Sequence, residues 1–122
     1  MFKKVAFTMY PVTDIDRAKE FYSQTLGLGS YKEMGNGKWI EFDLPEGGCF
    51  AITSMIDGVS PSDTAGASIA FEVENIENLL CQLKEKGVQF KLDLFESPVC
   101  KIAVAFDTEG NTFMLHQLHR KT

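Results

Sequence analysis

Glu41 and His116 are the side chains whose chemistry folding alone explains least. Glu41 follows Trp39 by two positions, and the apolar residues Ile40 and Phe42 alternate with them. Because residues two apart on a β-strand share a face, Trp39 and Glu41 are expected to point away from that apolar pair. A carboxylate desolvated beside an indole could act as a base or hold a cationic ligand. A solvated glutamate on the polar face of a strand is the alternative.

His116 follows Met114 by two positions and is expected to share its strand face. It could be the acid–base partner of Glu41, or an exposed histidine near the end of the chain. Glu41, Glu72 and His116 together would suit Fe²⁺ or Mn²⁺, although only the shared face supports such a site. Cys49 has no histidine beside it in sequence, so an inert buried thiol is favoured over a nucleophile.

An internal repeat organises the elements that must position these residues. Residues 12–16 align with residues 73–77, so Asp14 corresponds to Asn75 at an offset of 75 − 14 = 61 positions, half the chain. A strand with alternating apolar residues precedes each segment, over residues 5–12 and 67–73. The repeat therefore predicts two copies of one structural module.

Each predicted strand leads into a helix with a polar cap and an apolar stripe. The first helix is capped by Asp14 and ends at Gly27, and the second is capped by Asn75 and ends at Gly87. The stripes follow helical spacing and predict that each helix covers one face of a sheet. They comprise Ile15, Ala18, Phe21, Tyr22 and Leu26 in the first helix, and Ile76, Leu79, Leu80 and Leu83 in the second.

Three short strands are predicted after each helix. They span residues 29–32, 38–44 and 49–54 in the first module, and residues 90–94, 100–106 and 112–118 in the second. Glycine-rich or proline-containing turns separate several of them. The pattern predicts an α+β fold of two βαβββ modules in a single domain. Module 1 covers about residues 1–56, a connector about 57–66, and module 2 about 67–120.

Composition narrows the possible functions. The 122 residues are 44% hydrophobic and 24% charged, which is typical of a globular domain. The net charge of −5 argues against binding to nucleic acids or anionic membranes, so the expected partners are a small molecule or a second copy of the chain. The apolar runs are too short for a membrane helix, and Cys49, Cys81 and Cys100 have no disulfide or zinc spacing. We therefore expect a cytoplasmic protein.

Several motifs resemble those of the vicinal oxygen chelate superfamily, which includes glyoxalases, bleomycin-resistance proteins and extradiol dioxygenases. The opening motif comprises residues 12–14, Arg17-Ala18, Phe21-Tyr22 and residues 26–28, and the closing D-x-x-G-N turn covers residues 107–111. The resemblance implies two modules related by a pseudo-two-fold axis, with curved mixed sheets that form a cup. It also implies a homodimer.

The resemblance further implies four inward positions, typically His, Glu, His and Glu, around a divalent metal. By distance from the motifs these positions hold Phe7, Ala51, Ser68 and Met114 in this chain. Phenylalanine and alanine donate nothing to a metal, and a thioether with one hydroxyl is a poor set for Mg²⁺, Mn²⁺, Zn²⁺ or Fe²⁺. The sequence thus predicts no metal and no other cofactor.

Strand alternation predicts a mostly apolar ligand cavity with few polar groups, as is usual for small-molecule sites. The predicted lining is Phe7, Met9, Trp39, Glu41, Ala51, Ser68, Glu72, Ala103, Met114 and His116. The favoured function is metal-independent binding of an apolar or aromatic small molecule. The alternative is a divalent-metal or acid–base enzyme, a lyase, isomerase or dioxygenase relative that uses Glu41 and His116. A third possibility is an interaction role, and the predicted cavity could also be a core filled by its own side chains.

Overall fold

The structure, a computed structural model, describes residues 1, 3–65 and 68–119. The chain divides into two compact units, Met1–Pro61 and Ser62–Thr122. None of the helices in these described residues is both long and apolar enough to span a membrane.

The first unit has the connectivity βαβββ. Strand β1 (Thr8–Pro11) leads into helix α1 (Ile15–Glu20), which continues as a π-helical segment (Phe21–Thr25). Strands β2 (Lys32–Met34), β3 (Trp39–Asp43) and β4 (Cys49–Thr53) follow. They form a mixed sheet in the order β1-β4-β3-β2, in which β1 and β4 are parallel.

The second unit repeats this plan. Its elements are β5 (Ala70–Glu72), α2 (Ile76–Glu85), β6 (Phe90–Glu96), β7 (Cys100–Phe106) and β8 (Thr112–Leu118). The sheet order is β5-β8-β7-β6, again with the first strand parallel to the last. Since the two units share connectivity and strand order, the predicted α+β class and the βαβββ repeat are confirmed.

Both helices begin at the predicted caps. The Asp14 carboxylate accepts a hydrogen bond from the Arg17 backbone N–H at 3.1 Å, and the Asn75 side-chain oxygen accepts one from Asn78 N–H at 3.0 Å. Each contact satisfies a backbone donor that the first helical turn leaves unpaired. The sequence did not predict the π-helical segment, in which Leu26 N–H donates to the Phe21 carbonyl at 2.8 Å.

The bounds of several strands differ from the prediction, and β2 starts later because backbone groups before it are bonded to the end of the first helix. Residues 28 and 29 donate their N–H groups to the carbonyls of Tyr22 and Ser23, so β2 begins at Lys32 instead of residue 29. Strand β1 is shorter than the predicted 5–12, and β6 extends two residues beyond its predicted end. Strand β5 begins at Ala70, and residue 67, where it was predicted to begin, lies outside the described residues. The predicted bounds of β7 and β8 are confirmed.

In each unit the helix packs on one face of its sheet. In the first unit, the Tyr22 ring lies 4.9 Å from that of Phe50 and 6.4 Å from that of Phe42, measured between centroids. In the second, Ile76 N–H of α2 donates to the Gln117 side chain at 2.8 Å, and Lys101 pairs with Glu77 of α2 at 2.9 Å. Side chains of the opposite parity therefore lie on the other face, which we call the helix-free face.

The structure corrects the predicted orientation of Ala103. Ala103 pairs with Leu115, and Ala105 with Phe113, so both alanines share the face on which α2 packs. Both are completely buried there. The side chains of strand β7 on the helix-free face instead include Ile102 and Val104, which pair with His116 and Met114.

Candidate functional site

The helix-free face of the first sheet carries half of the residues predicted to bind a ligand. Cross-strand pairing places Met9 opposite Ala51 and Ala51 opposite Glu41. The next row places Thr53 opposite Trp39. This arrangement agrees with the alternation predicted for strand β3, since Ile40 and Phe42 are fully buried on the helix side.

An aromatic pair with a carboxylate is the main feature of this face. The Phe7 and Trp39 rings meet edge to face, with centroids 5.3 Å apart and planes at 87°. Trp39 Nε1–H donates to Glu41 Oε2 at 2.9 Å, which fixes the indole and the carboxylate relative to each other. Phe7 remains 44% exposed, so the pair presents accessible aromatic surface. Such a surface can stack on an apolar or aromatic ligand beside one acceptor group.

Cys49 lies beside acidic residues on the same face, where it pairs across the strands with Asp43. Burial, together with the charges of Glu41 and Asp43, raises the pKa of the Cys49 thiol. A raised pKa disfavours the thiolate, which is the nucleophilic form. The geometry therefore supports an inert thiol at this position, in agreement with the favoured interpretation of the sequence.

The helix-free face of the second sheet holds a carboxylate–imidazole pair. Glu72 and His116 are cross-strand partners, and His116 Nδ1 lies 2.5 Å from Glu72 Oε1. The other carboxylate oxygen, Oε2, accepts the Leu118 backbone N–H at 2.8 Å. The Leu118 N–H and then the His116 ring hold the pKa of Glu72 below its ordinary value. Glu72 is thus a carboxylate with both oxygens engaged.

The two acid–base candidates have separate partners. Glu41 lies in the first unit beside Trp39, and His116 lies in the second unit beside Glu72. Ser68 is exposed, and its hydroxyl lies 3.4 Å from the Thr112 carbonyl. Met114 pairs with Ala70 on the helix-free face of the second sheet.

The four positions where the superfamily carries metal ligands can be compared between the units. Ala51 pairs with Met9, two residues after Phe7, and Met114 pairs with Ala70, two residues after Ser68. Ala51 and Met114 are therefore equivalent, as the motif spacing predicted. These side chains do not fit a divalent metal, because together they offer one hydroxyl and one thioether. In the described part of the chain, no three side chains among His, Cys, Asp and Glu form a group that could hold a metal ion.

Some residues of these faces were missed by the sequence analysis. Ile102 and Val104 lie beside His116 and Met114, where Ala103 was expected. In the first unit, Lys32 is paired with Glu41 across β2 and β3, and its ammonium lies 3.3 Å from the Asp43 carboxylate. The repeat could have identified the β7 residues, whereas β2 was predicted too early in the chain.

Comparison with known proteins gives a family and a fold. The model of the glyoxalase/bleomycin resistance protein/dioxygenase superfamily matches residues 4–115. No curated protein sequence matches the chain significantly.

Similar solved structures cover nearly the whole chain at low sequence identity. The antibiotic binding protein TnmS3 from Streptomyces sp. CB03234 has a TM-score of 0.76 at 19% identity, over 97% of this chain and 98% of its own. A superfamily member from Sphaerobacter thermophilus has a TM-score of 0.76 at 23% identity, over 95% and 98%. The fosfomycin resistance protein FosX from Listeria monocytogenes has a TM-score of 0.71 at 16% identity, over 96% and 94%.

Proposed function

Because this chain belongs to the glyoxalase/bleomycin resistance protein/dioxygenase superfamily, we propose that it is a metal-independent protein that binds an apolar or aromatic small molecule. The observation that carries the proposal is the accessible Phe7–Trp39 pair beside Glu41 on the helix-free face. Aromatic area supplies affinity in such sites, and a few polar groups set the orientation of the ligand. Among similar structures, TnmS3 is an antibiotic binding protein and FosX a fosfomycin resistance protein.

Metal independence is supported by the donor atoms at the superfamily's metal positions. Phe7 and Ala51 supply no donor atom. Glu41, which pairs with Ala51 across the strands, already accepts the indole N–H of Trp39. Affinity would then depend on shape and apolar contact. Ala51 is fully buried between Met9 and Glu41, so a ligand on this face would contact the larger side chains around it.

Tryptophan fluorescence tests the proposal directly, because Trp39 is the single tryptophan of the chain. Titration with a panel of aromatic and apolar compounds should give saturable quenching and a raised melting temperature for at least one compound. Phe7→Ala should weaken the binding of that compound about tenfold, since it removes an aromatic contact. Dialysis against a chelator should leave the affinity unchanged.

The matched control is Tyr31→Ala, which removes an exposed ring from the helix side of the first sheet, where it contacts Phe42. It should change the affinity less than about twofold, as expected of a surface position away from the ligand. Equal affinities for wild type and Phe7→Ala would contradict the proposed site. A panel in which no compound quenches Trp39 or raises the melting temperature would contradict the function.

An acid–base enzyme using Glu41 and His116 is the second candidate, and the carboxylate partner of His116 favours it. Elemental analysis of protein purified without chelators, combined with activity assays of Glu41→Gln, separates the two functions. Less than about a tenth of an equivalent of metal, together with unchanged activity in Glu41→Gln, would exclude this mechanism.

We also propose that the chain forms a homodimer. Strands β2 and β6 each end their sheet, and their side chains are largely exposed. Unpaired strand edges favour association between chains. Size-exclusion chromatography with light scattering measures the mass and tests this proposal.

A further inference from the structure

We propose that Glu72 and His116, on the helix-free face of the second sheet, form a hydrogen-bond-accepting anchor that recognises a hydroxyl group on an aromatic ligand. In this arrangement His116 Nε2 accepts the ligand O–H, and Glu72 is a positioning residue that fixes the ring. The inference rests on the proposed function and specifies the class of ligand, a neutral hydroxylated aromatic compound.

The carboxylate of Glu72 is held in place from two sides. Its Oε2 accepts the Leu118 N–H at 2.8 Å, which ties it to the backbone of β8, and its Oε1 lies 2.5 Å from His116 Nδ1. Both contacts lower the pKa of Glu72, so the group is ionised at neutral pH. An ionised carboxylate has no proton to donate and only accepts hydrogen bonds.

The fixed carboxylate determines the tautomer of the imidazole. Because Glu72 only accepts, Nδ1 of His116 must carry the proton, and Nε2 of the neutral ring then has an unshared electron pair. His119 shows the opposite arrangement, since its Nε2 lies 3.0 Å from the Ser97 carbonyl and must itself donate. The two histidines of the chain should therefore be opposite neutral tautomers.

The surroundings of His116 favour a neutral hydrogen-bond donor on the ligand over a charged one. Within residues 68–119, no group is hydrogen-bonded to Nε2, and the side chain is 29% exposed. Its cross-strand neighbour on β7 is Ile102, and Met114 precedes it on the same face. On the strands beside it, the ionisable groups that share this face are Glu72 and Cys100. An ammonium ligand would lose water beside Ile102 and Met114, whereas a hydroxyl loses little.

The experiment compares 2-naphthol with 2-methoxynaphthalene, which has the same rings but no O–H donor. At about pH 8, wild type should bind 2-naphthol about tenfold more tightly than 2-methoxynaphthalene in isothermal titration calorimetry. In Glu72→Gln the ring is free to exchange tautomers, and in His116→Phe the acceptor is lost. His116→Phe should therefore bind the two compounds with nearly equal affinity, and Glu72→Gln should show a smaller preference for 2-naphthol than wild type.

Nitrogen-15 NMR of the imidazoles provides a readout that does not require a ligand. Wild type should show neutral His116 protonated at Nδ1 and His119 protonated at Nε2, and Glu72→Gln should shift His116 toward the Nε2–H form. The matched control is Glu96→Gln, which alters the carboxylate 3.5 Å from His119 Nε2 and should leave both His116 and the naphthol preference unchanged.

Three results would overturn the inference: a His116 protonated at Nε2 in wild type, equal binding of the two naphthalenes by wild type, or binding of neither. A preference that persists in His116→Phe, or that is undiminished in Glu72→Gln, would do the same. If other aromatic compounds still quench Trp39, the hydroxyl anchor is wrong and the proposed binding function stands. If none does, the binding function itself has failed.

Discussion

Asp107→Ala is expected to lower the free energy of unfolding by about 3 kcal/mol, because it removes a buried acceptor shared by several donors. Asp107 Oδ1 accepts the backbone N–H groups of Glu109 and Asn111 at 2.7 and 2.9 Å, and Oδ2 accepts the Asn111 side-chain amide at 3.1 Å. Asp107 and Asn111 are both buried. Alanine would leave these donors without their acceptor inside the turn between β7 and β8.

Urea denaturation of the purified variants measures this effect. Asp107→Asn keeps one acceptor but turns an amide N–H₂ toward that of Asn111, so its loss should be intermediate. Thr108→Ala is the control within the same turn, because Thr108 is exposed and its hydroxyl donates to the carboxylate of the neighbouring Glu109. It should change the stability by less than about 0.5 kcal/mol. A loss below about 1 kcal/mol in Asp107→Ala would show that water or relaxation replaces these contacts.

The closing turn illustrates what a motif can and cannot predict. Residues 107–111 were recognised as a turn from their composition and from their resemblance to a family motif. The sequence did not indicate that Asn111 also accepts the Ser62 backbone N–H at 3.0 Å, 49 positions away. Such a contact depends on tertiary placement, and it gives this motif a structural role that is separate from any ligand.

The secondary structure was predicted best where local chemistry determines it. The caps Asp14 and Asn75 and the bounds of β7 and β8 follow from side chains near them in sequence. The predicted start of β2 was wrong because carbonyls of the π-helical segment accept hydrogen bonds from the N–H groups of residues 28 and 29. That segment has no signature in the spacing of apolar residues, so the sequence indicated a continuous helix.

The candidate site was predictable in part. Alternation placed Trp39 and Glu41 on one face, and the structure adds their hydrogen bond and the edge contact with Phe7. Glu72 and His116 were also assigned to one face. Their contact was not predicted, because it depends on the parallel register of β5 and β8, and no short turn connects these strands to fix that register.

The prediction placed Ala103 on the wrong face of the sheet for an identifiable reason. Residues 102–106 are all apolar, so the alternation of polar and apolar residues does not show which side chains of strand β7 face the helix. The repeat shows which side chains face the helix, since Ala51 and Met114 are equivalent at an offset of 114 − 51 = 63 positions. The same offset aligns Ala103 with Ile40, which is buried on the helix side, and Val104 with Glu41.

Substitutions at adjacent positions of β7 test this orientation. Ala103→Leu should lower the free energy of unfolding by about 2 kcal/mol, because it adds three carbon atoms at a fully buried position opposite Leu115. Val104→Leu adds a single methylene on the half-buried helix-free face, so its effect should stay below about 0.5 kcal/mol. Urea denaturation measures both variants. The reverse order, with Val104→Leu costly and Ala103→Leu tolerated, would mean that the alanines line the helix-free face after all, and that Ile102 and Val104 pack against α2.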